Sequence, residues 1–383
     1  MRRFTLLIAG LALLAGVVAT VCGGATQAEA RWIVRDLGPC ASYDCQSSEY
    51  SINERGQVIG TSGKHAFLWE NGKMRDLGTL GGKTSDAVAI NERGQVIGQS
   101  ATKSGRSHAF LWQNGKMRDL GVLPGDTDSE AVAINDRGQI VGCSSGDPVF
   151  PEFDTTVLPC TRGSACLWEN GKMRDLGTLP GDRDVRPIAI NDHGWIVGTS
   201  SPGTHGGGWQ AFLWRSGKMV PLGKFGSLTS TPVGLNERGQ IVIQTSEPDR
   251  VYLWEGGKTR VIRRETYASH IAGINDRGQI VGYTLENRVY VWEKGRTRYL
   301  GVWSPSALNE RGQIIGMGAG PLLWDKGTRI NLPRLPGRES GQAVALNERN
   351  QIVGWSGNEE AVANEMELTV YKGRIVLWTL KRG

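Results

Sequence analysis

Short apolar runs alternate with polar joints along this chain. Between residues 86 and 121 the runs are Asp86–Asn91, Gln95–Ser100, His108–Gln113 and Lys116–Gly121. Each is rich in Val, Ile, Leu, Phe or Trp and bounded by Gly or Asn, which is the signature of a strand. None keeps a helical apolar spacing over three turns. The joints Asn91-Glu92-Arg93-Gly94 and Gln113-Asn114-Gly115-Lys116 supply the Asn and Gly that tight turns need for positive φ. The pattern therefore predicts four antiparallel strands, named a, b, c and d in chain order.

The same unit recurs eight times. Its turn asparagines are Asn53, Asn91, Asn135, Asn191, Asn236, Asn275, Asn309 and Asn347, spaced by 38, 44, 56, 45, 39, 34 and 38 residues. Four-stranded units of about forty residues repeated in this way are propeller blades. The last repeat stops after Trp378 without a d strand, while Trp32-Ile33-Val34-Arg35-Asp36-Leu37-Gly38 reads like Lys116-Met117-Arg118-Asp119-Leu120-Gly121. The expectation is an all-β, closed eight-bladed β-propeller whose N-terminal strand completes the last blade and removes the open sheet edge. An open β-solenoid is the alternative. The tryptophan that ends each c strand, such as Trp112 in Ala109-Phe110-Leu111-Trp112, lies in a continuous apolar run. Runs apolar on both faces are covered on both faces, so these indoles are assigned to the core.

Composition and the chain ends set the compartment. Arg2 and Arg3 precede an apolar run from Phe4 to Val21 and a small-residue site at Ala28-Glu29-Ala30. Residues 1–30 are read as a cleaved signal peptide and 31–383 as one secreted propeller domain with no membrane attachment after cleavage. The formal charge of +6 falls to +5 without that segment. Lys and Arg recur in every repeat, so the reading is a mixed-charge surface with no nucleic-acid stripe, on a monomer. An oxidising compartment permits disulfides. Cys40 is paired with Cys45 across a short loop, and Cys143 with Cys160 across the long insertion of the third repeat. Cys166 replaces Phe67 and Phe110 of other repeats and is read as a buried thiol.

His65-Ala66-Phe67-Leu68-Trp69 and His108-Ala109-Phe110-Leu111-Trp112, each followed by Asn-Gly or a near variant and Asp-Leu-Gly, resemble the HAF repeat family of extracellular proteins. The resemblance is close in the first four repeats and loose in the last four. The third departs with Ser164-Ala165-Cys166 and the fourth with Gln210-Ala211-Phe212. It implies export and a repeat architecture, and no chemistry.

Function is expected where the copies differ. The a–b and c–d turns at one end of the ring are nearly constant, whereas the b–c and d–a connections at the other vary from Ser62-Gly63-Lys64 to the stretches 144–164 and 356–372. Variable loops on a rigid scaffold are where binding resides. Trp209, Trp303, Trp355 and Trp195 fall outside the repeated core position and are the candidate ligand contacts, since an exposed aromatic can stack on a sugar or anchor a partner. Asp126 and Asp182 follow Leu-Pro-Gly in two d–a connections. With Asp128 and Asp184 they alternate as carboxylates that could hold Ca²⁺, but their spacing lacks the pattern of a dedicated Ca²⁺ loop, so they are read first as turn residues that could take part in a ligand site, with no cofactor and Ca²⁺ as the alternative. No nucleophile elbow, phosphate-binding loop or zinc helix occurs. The chain reads as a non-enzymatic module for an extracellular glycan or protein. A polysaccharide hydrolase or lyase, and a purely structural surface protein, are the alternatives.

Overall fold

The computed structural model describes residues 31–40, 45, 50–146, 163–203, 208–226, 229–246, 249–264, 270–361 and 369–381. They form eight four-stranded antiparallel sheets, each pairing consecutive strands in order. The blades span 51–76, 81–119, 128–175, 184–221, 229–264, 270–302, 304–331 and 340–381, the last completed by 31–39. The a strands of neighbouring blades touch, so strand a lines the axis and strand d forms the outer margin.

Closure follows the sequence expectation. Strand Arg31–Pro39 pairs antiparallel with Thr369–Lys381, placing Val34 opposite Trp378, and Arg374 Nε meets Asp36 Oδ2 at 2.9 Å across the joint. Leu37 shares one apolar cluster with Trp69 of the first blade and Trp355 of the last. The ring is closed, and the solenoid alternative is set aside.

The repeated motifs have distinct packing roles. All eight c-strand tryptophans are 0–8% exposed, and each buried indole contributes roughly 4–6 kcal/mol as an upper estimate. The Gly of Val-Ile-Gly makes room for the c-strand ring: a Cβ on Gly98 would stand 1.9 Å from the Asp86 carbonyl and 2.9 Å from Phe110. Blades two to eight carry a register shift in strand a at one equivalent residue, among them Val88, Val132 and Ile188. Such bulges bend and twist a strand, here where the sheets converge on the axis. The Asn-Gly turns adopt the expected backbone, with Asn114 at φ 52° and Gly115 at 78°.

The Arg of Lys-Met-Arg-Asp also has a structural task. Arg35, Arg75 and Arg174 each sit over the core tryptophan of the next blade, Trp69, Trp112 and Trp214, at 5.2–5.9 Å from the ring centroid. Arg260 over Trp292 and Arg298 over Trp324 repeat this in blades five to seven. A guanidinium on an indole face stabilises by about 0.5–2 kcal/mol, so this surface cation belongs to the blade interface.

One expected loop is largely sheet. Strands b and c of the last blade run on as Gln351–Ala361 and Thr369–Lys381, with Ala361 opposite Thr369. Most of the stretch 356–372 is thus a hairpin extension, and only 362–368 lies outside the described residues.

Candidate functional site

The a–b/c–d end is built from one hydrogen-bond pattern repeated around the axis. The side-chain amide of each turn asparagine donates to the backbone carbonyl of the asparagine in the next blade, at 2.9–3.3 Å, through all eight junctions. Directly beside it runs a second ring. The residue after each asparagine is Glu54, Glu92, Asp136, Asp192, Glu237, Asp276, Glu310 or Glu348, and its carboxylate accepts the backbone N–H of the same position in the preceding blade at 2.6–2.9 Å. Eight acids therefore encircle the axis. Burial is the main cause that pushes Glu92, Glu237 and Glu310 above the ordinary glutamate range, and neighbouring acids add to it. The signal for this ring is an acid at one fixed offset in every repeat; the sequence reading used only the Asn and Gly of these turns.

The turn glutamine extends the pattern outward. Gln57, Gln139, Gln240 and Gln279 each donate to a glutamate at the end of strand c, as in Gln57 to Glu70 at 2.8 Å. Trp195 replaces that glutamine in the fourth blade, and Arg215 replaces the glutamate. The two stack at 5.2 Å, a paired exchange of a hydrogen bond for a cation–π contact. Trp195 is half-buried, against Gly239 of the next blade, so it stands on the constant end of the ring.

The remaining candidates divide by burial. Trp355 is 1% and Trp303 3% exposed, each inside an apolar cluster between blades; neither ring is presented to a ligand. Trp209 is half-buried at the start of strand c in the fourth blade, and the Arg186 guanidinium lies 4.0 Å from its ring centroid. Burial lowers the Arg186 pKa against the opposing pull of Asp184. Asp126 and Asp182 each donate their own N–H to the carbonyl three residues earlier, Leu123 and Leu179, at 3.0 Å. They occupy separate turns in successive connections. Among the described residues, no three His, Cys, Asp or Glu side chains are grouped to hold a metal ion.

The c-strand histidines bind within their own blades. His65 Nδ1 and His108 Nδ1 lie 2.8 Å from Asp76 and Asp119 of strand d. Partial burial raises the Asp76 pKa, but the His65 hydrogen bond, the Gly78 N–H and the histidine charge outweigh it and hold the group below the usual value. Cys40 and Cys45 form a disulfide with Cα atoms 5.2 Å apart. Cys143 is disulfide-bonded, and Cys160 lies outside the described residues. Cys166 is a free, fully buried thiol whose pKa burial drives far upward.

A cleft of about 290 Å³ opens between the second and third blades at the constant end, lined by Arg93, Gln113, Arg118, Arg137, Trp168 and Glu169. These are repeat residues. The cleft stands where Trp168 Nε1 donates to the Leu120 carbonyl at 2.9 Å and where no Arg118 stack is found among the described contacts.

No family model matches the chain, and no curated protein matches it. Among solved structures it is similar in fold to an acylaminoacyl peptidase in complex with a chloromethyl ketone, at 12% identity and TM-score 0.48, covering 83% of this chain and 58% of that one. The β-propeller domain of the trilobed protease from Pyrococcus furiosus gives 10% identity and 0.48, over 79% of this chain and 98% of that domain. YCF48 bound to D1 peptide gives 12% and 0.43, over 91% and 96%. The chain thus spans little more than half of the whole peptidase, and at these identities the likeness is one of fold.

Proposed function

We propose that this protein is an exported, non-enzymatic binding module that holds an extracellular glycan or protein on the b–c/d–a end of its ring. The observation that carries this reading is the asymmetry between the ends. Polar groups of the a–b/c–d turns are engaged in the asparagine and carboxylate rings, whereas the opposite connections differ in length from blade to blade. On that end Trp209 and Arg186 offer an indole and a guanidinium in contact, a pairing suited to a sugar face or an aromatic anchor. The leader-like first thirty residues, the Cys40–Cys45 disulfide and the resemblance to HAF repeats support export.

The test is a glycan array on residues 31–383 with wild type and Trp209→Ala, alongside melting curves. Binding that falls at least ten-fold in the variant with little change in Tm supports the reading. A variant that melts earlier yet binds as wild type sinks the role given to Trp209.

A further inference from the structure

The margin of blades five and six departs from the repeat in one respect. In three blades the basic residue four positions before the c-strand tryptophan is matched by an aspartate on strand d: His65 with Asp76, His108 with Asp119, and Arg374 with Asp36. The equivalent cations in blades five and six are Arg250 and Arg288, and the aspartate position holds Val261 and Tyr299. A basic residue is kept, here an arginine, and its aspartate partner is replaced.

The outer strands here are also longer. Lys258–Arg264 and Arg296–Val302 have seven residues each, against four in blades one to four and seven. The added length brings Arg263 and Arg264. Arg264 pairs directly opposite Arg250 in the ladder, and like charges in direct register are destabilising. Arg288 lies 4.6 Å and Arg263 5.7 Å from the ring of Tyr299, which is 47% exposed. These groups lie where strand c begins and strand d ends, so they face the b–c/d–a end. From 258 to 302 the chain has nine Lys or Arg against four Asp or Glu. Of these nine, Arg263, Arg264 and Arg288 lie at the b–c/d–a end; Lys258, Lys294 and Arg296 belong to the c–d turns, Arg277 to an a–b turn, and Arg260 and Arg298 stack on tryptophans.

We propose that Arg250, Arg263, Arg264 and Arg288, braced by Tyr299, bind the carboxylates of an acidic polysaccharide, a polyuronate. Guanidinium forks match carboxylates in bidentate geometry and stay charged, and an anion between Arg250 and Arg264 relieves their repulsion. Register shifts in both outer strands, between Val261 (opposite Tyr252) and Arg263 (opposite Val251) and between Tyr299 (opposite Tyr290) and Gly301 (opposite Val289), interrupt the ladder that an added peptide strand would use. Arg263 lies 3.9 Å over Tyr290 and donates to the Tyr299 hydroxyl at 3.3 Å, while Arg288 lies over the Tyr299 ring, so this tyrosine serves the guanidinium groups first.

This inference rests on the proposal that the b–c/d–a end binds ligand, and names the ligand class. The experiment measures binding of the mature protein to polygalacturonate, with dextran, poly-L-glutamate and duplex DNA as comparisons, for wild type, R250Q/R288Q and Trp209→Ala. The expected result is salt-dependent binding of polygalacturonate that weakens at least ten-fold in R250Q/R288Q, whose Tm is equal to or above that of wild type. Absence of polygalacturonate binding, equal binding by R250Q/R288Q, or tighter binding of poly-L-glutamate or DNA overturns it. Trp209-dependent binding of dextran without polygalacturonate binding leaves the broader proposal standing and removes this one.

Discussion

The side-chain amide of Asn347 donates to the backbone carbonyl of Asn53 at 2.9 Å, across 294 residues of chain. That contact is the same one made between consecutive blades, as in Asn91 to Asn135 at 3.0 Å, so the ends of the chain meet through an ordinary blade junction. Replacing Asn347 with Ala leaves a buried carbonyl and the Gln351 amide oxygen without their donor. The expected cost is about 1–3 kcal/mol, read as a lower denaturation midpoint. Asn236→Ala, at an internal junction, should cost about the same. A silent Asn347→Ala beside a costly Asn236→Ala would show that the terminal junction does not bear on stability.

Removal of residues 31–38 tests the other half of closure. Strand Thr369–Lys381 would keep Gln351–Ala361 but lose its outer partner, and the neighbours of Trp378, now 0% exposed, would include solvent. An uncovered apolar edge invites pairing between molecules. Light scattering and size-exclusion chromatography should show association, with a clearly lower Tm. A truncated chain that stays monomeric with an unchanged Tm would contradict the closure seen here.

The ring was legible because its signals are local and repeated eight times. Alternation, Asn-Gly turns and the displaced d-strand phrase at Trp32–Gly38 each constrain neighbouring backbone, and eight copies leave little freedom for another arrangement. The candidate site was less legible because the burial of one indole depends on contacts between blades. Trp303 and Trp355 look like Trp209 in sequence, each beside a variable connection, yet two are core and one is half-buried. The carboxylate ring and the Arg–Trp stacks were hidden for the same reason. Each forms only between residues about one repeat apart, so the fixed offset is visible in the sequence while the contact is not.

Cys166 provides a chemical test of the third blade. It pairs opposite Gly142 where blades one, two and four set a phenyl ring, is fully buried, and has its thiol pKa raised by burial. Reactivity needs an accessible thiolate. Ellman's reagent should therefore leave Cys166 unmodified in the native protein at pH 8 and label it after denaturation without reductant. Rapid native labelling, mapped to Cys166 by peptide mass, would contradict this packing.

The acid ring should make stability depend on pH in an unusual direction. Glu92, Glu237 and Glu310 have folded pKa values above their ordinary 4.5, so the folded state holds their protons more tightly than the unfolded state. Their ionised forms weaken the fold at neutral pH, and this penalty is relieved as pH falls through the raised values toward 4.5. Asp76 acts oppositely, since its value lies below the ordinary 3.8 and its contribution is lost only as pH falls below that level. The two windows are separate. Glu92 is flanked by Glu54 and Asp136, with Arg55 as the opposing charge. Glu92→Gln keeps an oxygen that can accept the Glu54 N–H and removes one charge from the ring. Its Tm at pH 7 should equal or exceed that of wild type, and the difference should shrink as pH approaches 4.5. A variant less stable than wild type by the same margin at both pH values would mean that the Glu92 carboxylate is a net stabilising acceptor, and the assigned repulsion would be wrong.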